Sequence, residues 1–198
     1  DLHSKIFTNG FPQLKSFYHL DNEPIQNTID WIQINHLYSL TFSYLDLSSI
    51  KILLSTCPNL YNLNTGIILP CEISRDIRPC SNLKHLVLKT KCNTWKKNEH
   101  ILVLNDLFSC SSNLERLSLH RQDNISIVNK SFINYDWLST IIPSYFPFLH
   151  RFYCYFHIFH VGKATIVLGP RMNSILDQII EQFYHVHKNR YNARLIII

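Results

Sequence analysis

Six leucines set the frame of this chain. Leu14, Leu37, Leu60, Leu83, Leu114 and Leu149 follow one another at intervals of 23, 23, 23, 31 and 35 residues. Three positions after them stand Phe17, Leu40, Leu63, Leu86, Leu117 and Phe152, all of them apolar. With 46% apolar residues in the chain, such a column arises by chance about once in a hundred trials, so it is a pattern to be explained. A looser column follows five positions after the anchors, at His19, Phe42, Thr65, Leu88, Leu119 and Cys154. Another precedes them by three, at Phe11, Ile34, Cys57, Cys80, Ser111 and Phe146. Pro12, Pro58 and Pro147 sit two before their anchors, and Ser81 and Ser112 take that place in two other units. A unit this short cannot bury its own apolar residues; stacking on its neighbours supplies the core.

The spacing of anchor, third and fifth position ends in the alternation of a short strand with one buried face. Proline two before the anchor cannot continue a helix and pushes its predecessor toward extended backbone, marking the passage from a helix into the strand. Helices are predicted over 48–56, 98–109 and 134–142, each beginning near an Asn, Asp or Ser able to cap it, and a further one over 23–32. Residues 66–79 read as irregular, with a turn near 71–77. After about His157 the pattern changes: a strand at 166–168, a helix over 173–187 with one apolar stripe, then the apolar run Leu195-Ile196-Ile197-Ile198. The expectation is an α/β chain with parallel strands stacked about 4.8 Å apart. Residues 1–156 form a solenoid of about six irregular units. Residues 157–198 cap its end, or else dock a segment beyond this chain.

The segments FPQLKSF, INHLYSLTF, CPNLYNL, CSNLKHLVL, CSSNLERLSL and FPFLHRF resemble leucine-rich repeats. Their Cys-x-Asn-Leu lead-in is similar to the cysteine-containing repeats of F-box–leucine-rich-repeat proteins, over about residues 6–156. That family's Asn or Cys eight or nine positions after the anchor is met here by Asn22 and Cys92 alone, which implies an irregular solenoid. The resemblance implies a short curved parallel sheet on a concave side, with helices and turns on the convex side. It further implies a protein-interaction module, the substrate-recognition part of an F-box-type ubiquitin-ligase receptor in the cytoplasm or nucleus. The ligase adaptor would be bound through a segment outside this chain, and ubiquitin transfer would fall to partner subunits.

In such a sheet the residues two, four and six after each anchor line the concave face. Along the chain they grade from small and neutral (Ser39, Thr41, Ser43, Asn62, Asn64, Gly66) to basic and aromatic. The candidate partner-binding residues are His85, Lys89, Arg116, His120, Arg151, Tyr153 and Tyr155. Arg and Tyr combine contact area with hydrogen bonding, and the charge selects an acidic protein partner.

Composition limits the alternatives. Aromatics at 13% and only four glycines exclude a disordered or collagen-like chain. A net charge of +5 with 17% charged residues is too mild to mark a nucleic-acid binder by itself, and a nucleic-acid-binding surface ranks third. The run Lys84, Lys89, Lys91, Lys96 and Lys97 reads as a solvated loop. No stretch is long and apolar enough to suggest a membrane span. The chain opens Asp1-Leu2-His3 without a basic-then-apolar leader, as a piece of something longer would. Its six cysteines are expected as reduced, buried thiols, with Cys57 and Cys80 neighbours in the stack. An extracellular, receptor-type ligand-binding repeat domain would pair them instead, and that reading stays open. The pairs His157/His160 and His185/His187 lack supporting ligands at metal spacing. No catalytic motif is present, so neither enzyme activity, metal nor cofactor is expected.

Overall fold

The computed structural model of the chain describes residues 6, 11–20, 33–68, 80–91, 104–105, 107–124, 142–159, 170–187 and 190–198. Five of the six leucine units begin with a tight turn. The anchor N–H of Leu14, Leu60, Leu83, Leu114 and Leu149 donates to the carbonyl three residues earlier, at 3.0 to 3.3 Å. Pro12, Pro58 and Pro147 occupy the second position of these turns, where the fixed φ of proline is already correct. The proline therefore shapes the turn itself as well as ending what precedes it.

The strands are β1 (Ser16–His19), β2 (Ser39–Asp46), β3 (Asn62–Ile68), β4 (His85–Lys91), β5 (Arg116–Asn124), β6 (Arg151–Phe159) and β7 (Asn192–Ile197). They form one seven-stranded sheet in sequence order, every neighbouring pair parallel. Ser16, Ser39, Asn62, His85, Arg116, Arg151 and Asn192 stand in one row across it. The first six each lie two positions after an anchor leucine, so leucine spacing and strand register are the same information.

The third-position residues Leu40, Leu63, Leu86, Leu117 and Phe152 are buried, as are the anchors Leu37, Leu60, Leu83, Leu114 and Leu149. Leu14 is half-buried against the same core. A second layer covers this face. Helix α1 (Leu47–Thr56) contributes Ile50, Leu53 and Leu54, and the helical residues Leu104, Leu107 and Phe108 add to it. Asp46 caps α1 by accepting from the Ser49 N–H at 2.6 Å, which satisfies one of the free donors at the helix start. The predicted helix over 98–109 is helical at its described positions, and Ile142 lies in a helical turn continuing to residue 145. The helix over 23–32, most of that over 134–142, the turn near 71–77 and the strand at 166–168 lie outside the described residues.

The C-terminal segment differs from the expected arrangement in position. Helix α2 (Pro170–His187) packs Phe183 and His187 against Phe152, with ring centroids 5.6 and 5.0 Å away. The Arg190 N–H then donates to the His187 carbonyl at 3.1 Å, repeating the turn that precedes those five anchors, and β7 pairs in parallel with β6. Arg190 stands where the other units carry leucine. The α2 helix thus leads into a seventh strand as α1 leads toward β3, and the boundary expected at 156/157 falls inside β6.

Candidate functional site

Side chains alternate along a strand, so residues two, four and six after each anchor point away from the core. The parallel register gathers the expected residues into rows. His85, Arg116 and Arg151 adjoin in one row, and Lys89, His120 and Tyr155 in another, with Tyr153 between. Arg116 and Arg151 are exposed; His85, Lys89, His120, Tyr153 and Tyr155 are half-buried. His120 stacks on Tyr155 at 4.2 Å and lies 5.8 Å from the nearly parallel ring of His157. Burial, then the neighbouring His157 and Lys89, push the His120 pKa down to about 4. Desolvation and the Arg116 and Arg151 charges likewise lower that of His85, against an opposing pull from Glu115. Both imidazoles are therefore neutral at physiological pH, and the fixed charge on this face comes from lysine and arginine.

β7 extends the face beyond what the sequence reading included. It places Asn192 beside Arg151, Arg194 beside Tyr153 and Ile196 beside Tyr155. At these alternating positions β4 to β7 carry Lys89, Arg116, Arg151 and Arg194 and no carboxylate among the described residues. Glu115, one residue off the row, is held by Lys84 at 3.3 Å. In β1 to β3 the residues two, four and six after the anchors are neutral, and Asp46 at the end of β2 is engaged as the cap of α1.

One residue in the neutral half departs from the alternation. A bulge in β2 puts Tyr44, in place of Ser43, opposite Gly66. Gly66 is required there, because a Cβ would overlap the Tyr44 ring and the Ser43 carbonyl oxygen. Ser43 instead donates to the Leu20 carbonyl at 2.7 Å.

Two further features border the face. Tyr38 and Tyr61, each one position after its anchor, stack at 4.7 Å and 8°, and His85 meets Tyr61 edge-on at 4.7 Å. Behind the turns runs an asparagine ladder. The side-chain amides of Asn59, Asn82 and Asn113 donate to the carbonyls of Asn35, Pro58 and Ser81 in the preceding unit, at 2.7, 2.9 and 2.9 Å. Asn directly before the anchor, visible in CPNL, CSNL and SSNL, was the signal for it. The same signal marks the seventh unit, where Asn189-Arg190-Tyr191-Asn192 parallels Asn59-Leu60-Tyr61-Asn62.

The thiols sit away from this face. Cys57, Cys80, Cys110 and Cys154 are buried thiols outside any disulfide. Burial pushes the Cys57 and Cys154 pKa values up to about 12, which leaves them protonated and unreactive; Cys71 and Cys92 lie outside the described residues. No cluster of three metal-ligating side chains occurs among the described residues, and none of their helices is long and apolar enough to cross a membrane. Comparisons with protein-family models, with characterised proteins and with solved structures return no match.

Proposed function

We propose that the chain is a leucine-rich-repeat solenoid serving as a protein-interaction module, the substrate-recognition part of an F-box-type ubiquitin-ligase receptor. On this reading it grips an acidic protein partner on the open face of β4 to β7. The observation that carries the interaction reading is the gathering of Lys89, Arg116, Arg151 and Arg194 at alternating positions of β4 to β7, with no carboxylate there among the described residues. Such fixed charge next to the half-buried rings of Tyr153 and Tyr155 matches what acidic protein partners select. The ligase assignment rests on the Cys-x-Asn-Leu style of the repeats. That the four described thiols are buried and form no disulfide supports it over an extracellular ligand-binding domain, which would draw on disulfides.

A photo-crosslinking residue placed at Tyr153 in cells identifies the partner, with the same residue at Ser55 on α1 as the control. Binding of that partner to the Arg116→Glu/Arg151→Glu variant is then measured. Loss of tenfold or more in affinity, together with a rise in partner abundance when the protein is depleted, supports the proposal. Unchanged affinity removes the face from consideration, and unchanged abundance removes the ligase role. Six titratable thiols after unfolding agree with the reduced reading, and paired cysteines favour the extracellular one.

A further inference from the structure

Arg116 and Arg151 are direct neighbours in the register of β5 and β6, on strands about 4.8 Å apart. Like charges facing each other across adjacent strands destabilise a sheet. Both side chains are exposed, and neither has an ion-pair partner among the described residues, because the nearby carboxylate of Glu115 is engaged by Lys84 at 3.3 Å. The row continues on both sides with groups suited to the same ligand. Asn192 on β7, exposed beside Arg151, brings an amide donor. His85 on β4, beside Arg116, has a buried Nε2 without a hydrogen-bond partner among the described residues. This is an arrangement with a cost and no compensation among the described residues, as expected of side chains placed to bind a ligand. Two guanidinium forks side by side match the oxygens of one multiply charged group better than those of a single carboxylate.

We propose that Arg116 and Arg151, flanked by His85 and Asn192, form a binding site for a doubly charged oxyanion carried by the acidic partner peptide. The proposal deepens the interaction-face reading and rests on it. The dianion is either a phosphate monoester on a side chain or two carboxylates presented together. Its arrival cancels the repulsion between the arginines. It also reverses the field at His85, which faces Arg116, Arg151, Glu115 and the Tyr61 ring, so binding is accompanied by proton uptake there.

The test is an NMR titration of the full chain with inorganic phosphate at constant ionic strength, following the Arg116 and Arg151 amides and the His85 imidazole, with acetate as the monoanion control. The expected result is saturable shifts with phosphate and weaker, non-saturating ones with acetate. The His85 pKa should rise toward its ordinary value. Arg116→Gln/Arg151→Gln, whose unfolding midpoint is checked first, should lower phosphate affinity at least tenfold and abolish the His85 shift. A phosphoserine peptide and a Glu-Glu peptide distinguish the sources: tighter binding of the first assigns a phosphate, of the second a carboxylate pair. Non-saturating phosphate shifts, equal binding of acetate, or an unchanged response in the double variant overturns the site. If the site fails while the partner crosslinked at Tyr153 still depends on Arg116 and Arg151, the interaction face stands and only the oxyanion assignment falls.

Discussion

Truncating the anchor leucines one at a time probes the stack through its unequal burial. Leu83 is fully buried in the core, whereas Leu14, at the β1 end, is half-buried. Leu83→Ala removes three carbons, about 2 kcal/mol at about 0.8 kcal/mol per buried methylene. The cavity left among rigid neighbours adds about 1–2 kcal/mol, for a total of about 3–4 kcal/mol. Leu14→Ala loses about half the transfer free energy and leaves no closed cavity, so it costs about 1 kcal/mol. Against a total stability of about 5–15 kcal/mol, the first variant is folded but marginal and the second is close to the parent. Urea unfolding followed by far-UV circular dichroism measures both, provided the slope with denaturant stays constant. Equal costs for the two variants, or a cost below about 1 kcal/mol at Leu83, would refute a shared core in which Leu83 is enclosed and Leu14 only half-buried.

Gly66→Ala should destabilise by about 1–3 kcal/mol through overpacking, and Tyr44→Ala should restore only part of it, since the Ser43 carbonyl remains in the way; the same urea assay reads both. Lys51 on α1 is 8% exposed with no hydrogen-bond partner for its Nζ among the described residues, so Lys51→Met should raise stability by about 1–2 kcal/mol, seen as a later unfolding midpoint. His120 and His187 both have pKa values lowered to about 4, first by burial, then by His157 and Lys89 for the one and by Arg190 for the other. Below pH 6.5 the unfolded chain binds protons that the folded chain refuses, so stability falls between pH 6.5 and about 4 and levels off below. His187→Phe, which keeps the ring beside Phe152 and Phe183, should flatten that decline, measured as unfolding midpoints across the range.

The spacing of the leucines was enough to define strand order and register for β1 to β6, because in a parallel stack each anchor turn starts the next strand at the same height. Residues such as Arg116 and Arg151 could then be assigned to the outer face before any coordinates, since alternation within a strand leaves no other choice. β7 escaped because Arg190 occupies the anchor slot and Ala193 the third position, so the apolar columns do not mark the unit. The turn did persist, in the hydrogen bond from the Arg190 N–H to the His187 carbonyl. Tyr44 was hidden for a different reason. A bulge adds one residue without changing composition, and its sign in the sequence is only Gly66 on the neighbouring strand, which acquires meaning once the two are paired. The Tyr38–Tyr61–His85 ledge and the asparagine ladder arise between units, from contacts 23 or more residues apart, so no single segment displays them.

Cross-strand amide-to-α NOEs test the register on which everything above depends. They should link the Arg116 row from His85 to Asn192 and the buried row from Leu86 through Leu117 and Phe152 to Ala193, all in the pattern of parallel strands. An antiparallel pattern, or an offset of one residue that turns Arg116 and Arg151 inward, would contradict the account.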